Sequence, residues 1–322
     1  MWRWPEPAAP AAAPAPASGT AIRLAELLTL RHQAARLVLP GHRRTTSPLA
    51  GPFRSAFRGR GMEFEEVREY QPGDDIRNMD WRVTARTGRP HTKLFREERE
   101  RPVYLLVDLN PAMAFGTRVS FKSVAAARAA ALLGWAAVRS GDRVGGLVLA
   151  AGGHQEIRPG RGHRGLLPLL RTLESLQPHP GAAAPPTPLA DGLDRLRRVA
   201  RPGSLILIVS DFTTFDQQAR RHLALLAAHN GLLPLLIHDP LEADPPPAGR
   251  RAYSDGHRTL TLDLGQGPLA TAYRAAFARR RDELTVFCHG RGVLPLLLST
   301  AEDPLTVLAN ALAPGHASGR GP

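Results

Sequence analysis

The chain has 322 residues, of which 43% are hydrophobic, so it is long enough for a sizeable core in one large domain or two smaller ones. Its 42 Lys and Arg residues exceed its 29 Asp and Glu residues by 13, so nucleic acid and lipid headgroups must be considered as partners. Its one cysteine, Cys288, excludes an internal disulfide framework and a cysteine-based metal cluster, and favours a reducing, cytoplasmic compartment. No window has the roughly 18 to 20 apolar residues of a membrane span.

The N-terminal third is predicted to precede the main domain. Residues 1–19 are rich in Pro and Ala and lack the apolar run of a signal peptide, which indicates a disordered tail. Residues 20–40, from the candidate N-cap Thr20, place leucines at helical spacing and predict one amphipathic helix, which either packs on its own domain or binds a partner. Residues 41–101 predict an exposed basic arm and then a β-rich module, in which MEFEEVREY forms a strand with a phase slip.

From residue 102 to residue 300, buried strands alternate with helices. The runs VYLLVDL and SLILIVSDF are continuously apolar, as strands covered on both faces must be. The alternation predicts an α/β fold with a doubly wound, mostly parallel sheet, followed by a C-terminal helix and flexible tail over residues 301–322. In such a sheet, ligands bind outside the carboxyl ends of the strands.

Two of these predicted strands end in an aspartate, Asp108 and Asp211. Both side chains are expected to project into the crevice at the point where the strand order reverses. Carboxylates in such a place are natural ligands for a hard divalent cation. The alternative is that each aspartate caps the turn or helix that follows its strand.

A long segment carries a more specific signal. The run GRGMEFEEVREYQPGDDIRNMDWRVTARTGRPHTKLFREERERPVYLLVDLN contains a series of charged and aromatic residues in a fixed order. They are Glu63-Phe64, Arg68-Glu69-Tyr70, Gly73-Asp74-Asp75, Arg77, Asp80-Trp81 and Ala85-Arg86. This run resembles the hallmark segment of the bacterial domain of unknown function 58 (DUF58) family, which is associated with MoxR-type AAA+ ATPases and carries a von Willebrand factor A-like domain.

The resemblance implies a metal-ion-dependent adhesion site made of an Asp-x-Ser-x-Ser loop, a later threonine and a later aspartate. The loop here reads Asp108-Leu109-Asn110-Pro111-Ala112, so Asn110 offers an amide oxygen in place of a hydroxyl and Ala112 offers no ligand. Thr187 and Asp211 fall where the later threonine and aspartate are expected. Water can replace a lost ligand of Mg²⁺ at a cost in affinity, so a weak Mg²⁺ site and a metal-free recognition loop both remain open.

A second candidate is the polar block that contains Asp74, Asp75, Arg77, Asp80 and Trp81. Its acids and arginines are able to pair with one another through bidentate contacts and form a rigid platform. The block is expected either to hold the β-rich module against the main domain or to contact a partner.

The favoured hypothesis is a non-enzymatic adaptor that acts with a MoxR-type AAA+ ATPase on client proteins, with the crevice as its recognition site. The opposing hypothesis is a metal-dependent phosphoesterase or nuclease that uses Asp108 and Asp211, although the sequence nominates too few carboxylates for two metals. A basic nucleic-acid-binding accessory factor is a third possibility. It is disfavoured because the arginines are spread along the chain and only 6% of residues are aromatic.

Overall fold

The computed structural model describes residues 18–40, 62–71, 76, 79–97, 100–179, 184–254, 259–263, 265 and 267–313. Most of the predicted N-terminal tail, the basic arm and the C-terminal tail therefore lie outside the described residues. The chain forms two compact units, one over residues 44–100 and the other over residues 1–43 and 101–322. The helices within the described ranges include none with the length and hydropathy of a membrane span.

Helices and strands alternate along most of the chain. In chain order they are α1 Leu24–Gln33, β1 Met62–Glu69, α2 Trp81–Thr87, β2 His91–Glu97, β3 Pro102–Asp108, α3 Lys122–Arg139, β4 Arg143–Ala150, β5 Gly153–Arg161, α4 Gly162–Ser175, α5 Leu189–Val199, β6 Leu205–Ser210, α6 Gln217–Ala227, β7 Gly231–His238, α7 Pro240–Ala243, β8 Arg251–Ser254, β9 Thr259–Leu262, α8 Gly267–His289, β10 Leu296–Ser299 and α9 Pro304–Leu312.

The smaller unit contains a two-stranded antiparallel sheet of β1 and β2 with α2 between them in the chain. The pairing runs from Met62 opposite Glu97 to Glu69 opposite His91, and its register shifts between Phe64 and Glu66. A shift of this kind adds one residue to one strand, as a β-bulge does. The phase slip that the sequence predicts in this strand is therefore confirmed.

The larger unit is built on a central sheet. Six of the strands that the structure describes form this sheet in the order β10, β7, β6, β3, β4, β5, and every neighbouring pair is parallel except β4 and β5. Strand order runs outward from β3 through β4 and β5 on one side and from β6 through β7 and β10 on the other. This is a doubly wound sheet whose order reverses between β3 and β6, so the predicted α/β fold class is confirmed.

Both faces of the sheet are covered by helices. Val103, Leu105 and Val107 of β3 belong to a core that includes residues of α1, α3, α4 and α9. Tyr104 and Leu106, which alternate with them, belong to a second core that includes residues of α5, α6 and α8. Because a strand between two apolar layers has no solvent-facing side, its sequence is continuously apolar.

Helix α1 begins later than the sequence predicts. Its N-cap residue is Arg23, which provides no side-chain cap, and not Thr20. The backbone N–H of Leu24 instead donates to the Glu174 carboxylate at 2.7 Å, and that of Ile22 donates to the Gln177 side chain at 2.9 Å. Free N–H groups at a helix start must be satisfied, and here side chains from the end of α4 and the residues after it satisfy them.

The same segment also leaves the helical conformation earlier than predicted. Helix α1 ends at Gln33, a 3₁₀ turn covers residues 34–36, and the chain then becomes extended. Leu37 and Leu39 are buried while Val38 between them is 55% exposed. This alternation has the two-residue period of an extended chain. Closely spaced leucines fit either a helix or an extended chain, so the sequence pattern alone does not distinguish the two.

We predict that Leu37→Ala lowers the free energy of unfolding by about 2 to 4 kcal/mol, because it removes a fully buried side chain from the core. Val38→Ala, the matched control one residue away, is expected to change it by about 0.5 kcal/mol or less. Urea unfolding of the full chain measures both. Equal effects of the two substitutions would contradict the packing of residues 37–39 on the sheet.

Candidate functional site

The candidate site lies where the strand order reverses, at the carboxyl ends of β3 and β6. Asp108 is the last residue of β3, Ser210 is the last residue of β6, and Asp211 follows it. All three side chains are buried. The Ser210 hydroxyl donates to Asp108 Oδ2 at 2.7 Å, so the structure brings the two predicted acidic strand ends to one place.

Asn110 and Thr187 lie on the other side of Asp108. The backbone N–H and the side-chain Nδ2 of Asn110 both donate to Asp108 Oδ1, at 3.0 and 2.8 Å. The Asn110 amide also bonds both backbone groups of Thr187: its Nδ2 donates to the carbonyl at 2.9 Å and its Oδ1 accepts from the N–H at 2.7 Å. The Thr187 hydroxyl lies 2.7 Å from the Ala150 carbonyl and 2.9 Å from that of Gly153. The four predicted ligands are thus close together, and hydrogen bonds occupy them.

A lysine that the sequence analysis did not single out contacts the last of these ligands. Lys122, the first residue of α3, has a side chain that is only 2% exposed. Its Nζ lies 2.8 Å from Asp211 Oδ2 and 2.9 Å from Glu242 Oε1 on α7. Glu242 Oε1 also lies 3.6 Å from the Arg280 guanidinium of α8. Glu242 Oε2 accepts from the backbone N–H of Asp239 at 3.0 Å.

A third strand end adds a further buried carboxylate. Asp239 follows β7 and accepts from the backbone N–H and the hydroxyl of Thr117, at 2.9 and 2.5 Å. It also accepts from the hydroxyl of Thr300, which follows β10, at 2.5 Å, and from the N–H of Leu241 at 2.9 Å. These bonds connect the loop after β3 to the ends of β7 and β10.

The backbone is strained next to Asp211. Phe212 has a φ of 53°, the left-handed region that residues with a side chain seldom adopt. Its ring is buried and makes an edge-to-face contact with Phe215 at 5.7 Å between centroids. Strain of this kind persists where the surroundings determine the conformation, and here packing and the bond from the Phe212 N–H to Ser210 Oγ, at 3.0 Å, do so.

Comparison with known proteins identifies the family. The model of the family described as "Protein of unknown function DUF58" matches residues 66–284, which is more than half of the chain. The chain belongs to the DUF58 family.

Relatives of this DUF58 protein occur in mycobacteria. It is 32% identical over 258 residues to the uncharacterized proteins Rv1480 of Mycobacterium tuberculosis (strain H37Rv) and Mb1516 of Mycobacterium bovis, a stretch that covers 79% of this chain and 80% of each relative.

Two solved structures are similar to it at low sequence identity. The conserved hypothetical protein BatB of Bacteroides thetaiotaomicron matches with a TM-score of 0.39 and 14% identity, over 65% of this chain and 96% of its own. A von Willebrand factor type A protein of Catenulispora acidiphila matches with a TM-score of 0.36 and 11% identity, over 68% and 42%. The strand order of the sheet, and not these scores, establishes the doubly wound fold.

The residues of the DUF58 site do not fit the Mg²⁺ ion that the family resemblance implies. Both oxygens of Asp108 accept hydrogen bonds, and Asn110 Oδ1 accepts one from Thr187. Asp211 has an ammonium group 2.8 Å from one oxygen and two bonds from Thr213 on the other. Among the described residues, no cluster of three or more Asp, Glu, His or Cys side chains is arranged to hold a metal. A divalent cation would have to displace the Lys122 ammonium first.

The two aspartates differ in their protonation. Burial and the nearby charge of Asp211 raise the pKa of Asp108 to about 6, although Asn110 and Ser210 donate to it. Burial also disfavours the charged form of Asp211, but the Lys122 ammonium and the hydrogen bonds from Lys122 and Thr213 outweigh it and hold the pKa of Asp211 below its usual range. Burial opposes the charge of Lys122 as well, yet Asp211 and Glu242 keep its pKa above the ordinary value. The pair of Asp211 and Lys122 therefore stays charged, and Asp108 is the group that titrates.

The patterns described above did not indicate five residues of the site, which are Lys122, Glu242, Asp239, Thr117 and Thr300. Two signals point to some of them. Lys122 is one of only two lysines, with Lys93, among the 42 basic residues of an arginine-rich chain. Asp239 and Thr300 each directly follow an apolar strand, as Asp211 does, and Asp108 is the last residue of one.

Part of the predicted polar platform is described by the structure. Asp74, Asp75 and Arg77 lie outside the described residues. Asp80 is the N-cap of α2, and its Oδ1 accepts from the backbone N–H groups of Arg82 and Val83 at 3.1 and 3.2 Å. Trp81 is 67% exposed, and the role of the block stays a prediction.

We predict that Asp108→Asn makes the protein more stable at neutral pH. Because the pKa of Asp108 is higher in the folded chain than the ordinary 3.8, the folded state binds more protons between about pH 4 and about pH 6, and wild-type stability falls as pH rises through that window. An asparagine carries no charge to bury, and its amide nitrogen is able to donate to Ser210 Oγ. Urea unfolding near pH 7 should show that the substitution raises the free energy of unfolding by an amount on the order of 1 to 3 kcal/mol, and near pH 4 by almost nothing.

Asp211→Asn is the matched control for this experiment. It leaves the buried Lys122 ammonium without its main partner, so it should destabilise the protein at both pH values. If wild type and Asp108→Asn differ in free energy of unfolding by the same amount at both pH values, Asp108 is not the titrating group.

Proposed function

We propose that this DUF58 protein is a non-enzymatic interaction protein whose crevice edge binds a MoxR-type AAA+ ATPase. The observation that carries the proposal is that the carboxylates of the crevice are bonded to neighbouring groups and buried. Asp108 is 2% exposed and Asp211 is 1% exposed. A catalytic group must reach its substrate, and these groups face the interior of the protein. We infer that these buried, hydrogen-bonded groups hold a recognition surface rigidly in place.

The loop between β3 and α3 provides such a surface. Phe115 and Val119 are large apolar residues of this loop that are 37% and 59% exposed. The loop is held by the bonds from Thr117 to Asp239 and by the N–H of Lys122, which donates to the Phe115 carbonyl at 2.7 Å. Apolar side chains on a rigid loop lose little entropy on binding, which is typical of the central residues of an interface.

A groove beside this edge has room for a segment of the partner. It has a volume of about 530 Å³, adjoins Thr187, and is lined by Pro185 and Pro186 and by Asp191 and Arg195 of α5. The mixture of apolar and charged lining residues suits a polypeptide better than a small apolar ligand.

The choice of partner comes from the family resemblance. The DUF58 family is associated with MoxR-type ATPases, and such a partner would use ATP to remodel client proteins that the DUF58 protein helps to present. Dependence on ATP is also in keeping with a cytoplasmic location. The sequence pattern and the crevice geometry support an adaptor role in this pair.

We predict that the double substitution Phe115→Ser with Val119→Ser weakens binding to the MoxR-type ATPase of the same organism by about tenfold or more. Leu225→Ser is the matched control, since Leu225 is 48% exposed but lies on α6, away from the loop. Biolayer interferometry with the purified ATPase and the full chain measures the affinities, and thermal melts verify that the variants remain folded.

Three results would contradict the proposal. The first is the absence of any binding between the wild-type chain and the ATPase. The second is hydrolysis of nucleic acid or phosphoesters with Mg²⁺ or Mn²⁺ that is lost in Asp108→Ala, which would support the phosphoesterase or nuclease hypothesis. The third is binding of nucleic acid that weakens steeply with salt, which would support an accessory factor.

A further inference from the structure

The buried ammonium of Lys122 contacts Asp211, one of the four residues that the family resemblance expects to hold a cation. It is between the carboxyl end of β6 and α7, with oxygens of Asp211 and Glu242 at 2.8 and 2.9 Å. A charged group removed from water is costly unless it is paired, and two carboxylates pair this one. A lysine provides a compact point charge, whereas the planar guanidinium of the much commoner arginine requires a wider site.

The two carboxylates that contact Lys122 also have a second positive group close to them. Asp211 and Glu242 carry two negative charges, and Lys122 and Arg280, which lies 3.6 Å from Glu242, carry two positive ones. A divalent cation bound to Asp211 Oδ2 would lie next to the Lys122 ammonium, which is 2.8 Å from the same oxygen. Coulomb repulsion at such a distance is strong in a poorly solvated interior.

The position of Lys122 in its helix supports the same interpretation. Lys122 is the first residue of α3, and a positive charge at a helix N-terminus is unfavourable because the N–H dipoles there point toward it. The Phe115 ring of the exposed loop lies 5.9 Å from the ammonium. A cation in this place is therefore maintained by the two carboxylates, and it lies against a ring of the β3–α3 loop.

We propose that Lys122 is a built-in cation that replaces the divalent ion of the crevice, so that the site is organised without metal. The corollary is that removal of the lysine side chain, with its oxygens left in place, converts the crevice into a divalent cation site. Asp211 and Glu242 then supply carboxylate oxygens, and water completes the coordination shell. This inference goes beyond the proposed function, because it concerns cation binding whether or not the ATPase is the partner.

Lys122→Ser tests the inference, with Mn²⁺ as the probe because its electron paramagnetic resonance reports binding directly. Wild type is expected to show no saturable Mn²⁺ binding and no change in Tm with Mn²⁺. Lys122→Ser is expected to melt at a lower temperature in metal-free buffer, since Asp211 and Glu242 then repel each other, and to gain Tm as Mn²⁺ saturates it. The gain should be lost when Asp211→Asn is added.

Lys122→Met is the matched control. It removes the charge but fills the space of the lysine stem, so Mn²⁺ should not raise its Tm. An equal response of Lys122→Met and Lys122→Ser would place the Mn²⁺ elsewhere and overturn the inference. Mn²⁺ binding by wild type that is lost in Asp211→Asn would overturn it as well.

A folding failure of Lys122→Ser would also be informative. The variant would then be refolded from denaturant with and without Mn²⁺. Recovery of the native circular dichroism spectrum only with Mn²⁺ would support a cation site, and no recovery with Mn²⁺ would overturn the inference.

Discussion

The buried ion pair of Lys122 and Asp211 is the interaction on which the arrangement of the crevice depends. It joins the start of α3 to the carboxyl end of β6, two elements that are far apart in the chain, and Glu242 extends it to α7. Desolvation opposes such a pair, so its contribution to net stability is small compared with the cost of removing one partner. Its role is to specify one arrangement of the elements, because any shift of α3 would leave a buried charge without its partner.

The polar groups around this pair follow from a simple constraint on parallel sheets. A strand covered on both faces is apolar along its length, yet the chain must leave the sheet at its end with backbone groups to satisfy. The ends of β3, β6, β7 and β10 meet this need with Asp108, Ser210, Asp239 and Thr300, whose side chains bond to loops and to one another. The loop that carries the exposed Phe115 and Val119 is therefore supported by the sheet itself.

The sequence was sufficient to predict the doubly wound sheet and the meeting of two acidic strand ends. Both follow from local patterns, since continuous apolar runs mark buried strands and the carboxyl ends of parallel strands share one edge. The role of Lys122 was not predictable in the same way. Helical periodicity places a residue on a face, but it does not show which strand end that residue contacts. The early end of α1 was missed for a related reason, because Leu37 and Leu39 suit both a helix and an extended chain.

This chain departs from the adhesion-site pattern at Asn110 and Ala112, and both departures are consistent with the proposal that Lys122 replaces the ion. A serine hydroxyl has one hydrogen, and it is not able to make the bonds that the Asn110 amide makes to both Asp108 and the two backbone groups of Thr187. Because Lys122 already supplies a positive charge in this crevice, we infer that Asn110 serves to bridge Asp108 and Thr187 and not to offer an oxygen to an ion. Ala112, where a second serine is expected, is exposed, and no ligand is required of it. On the proposal that Lys122 replaces the ion, Asn110 and Ala112 fit a crevice that is held together by an ammonium group and an amide in place of an ion and its ligands.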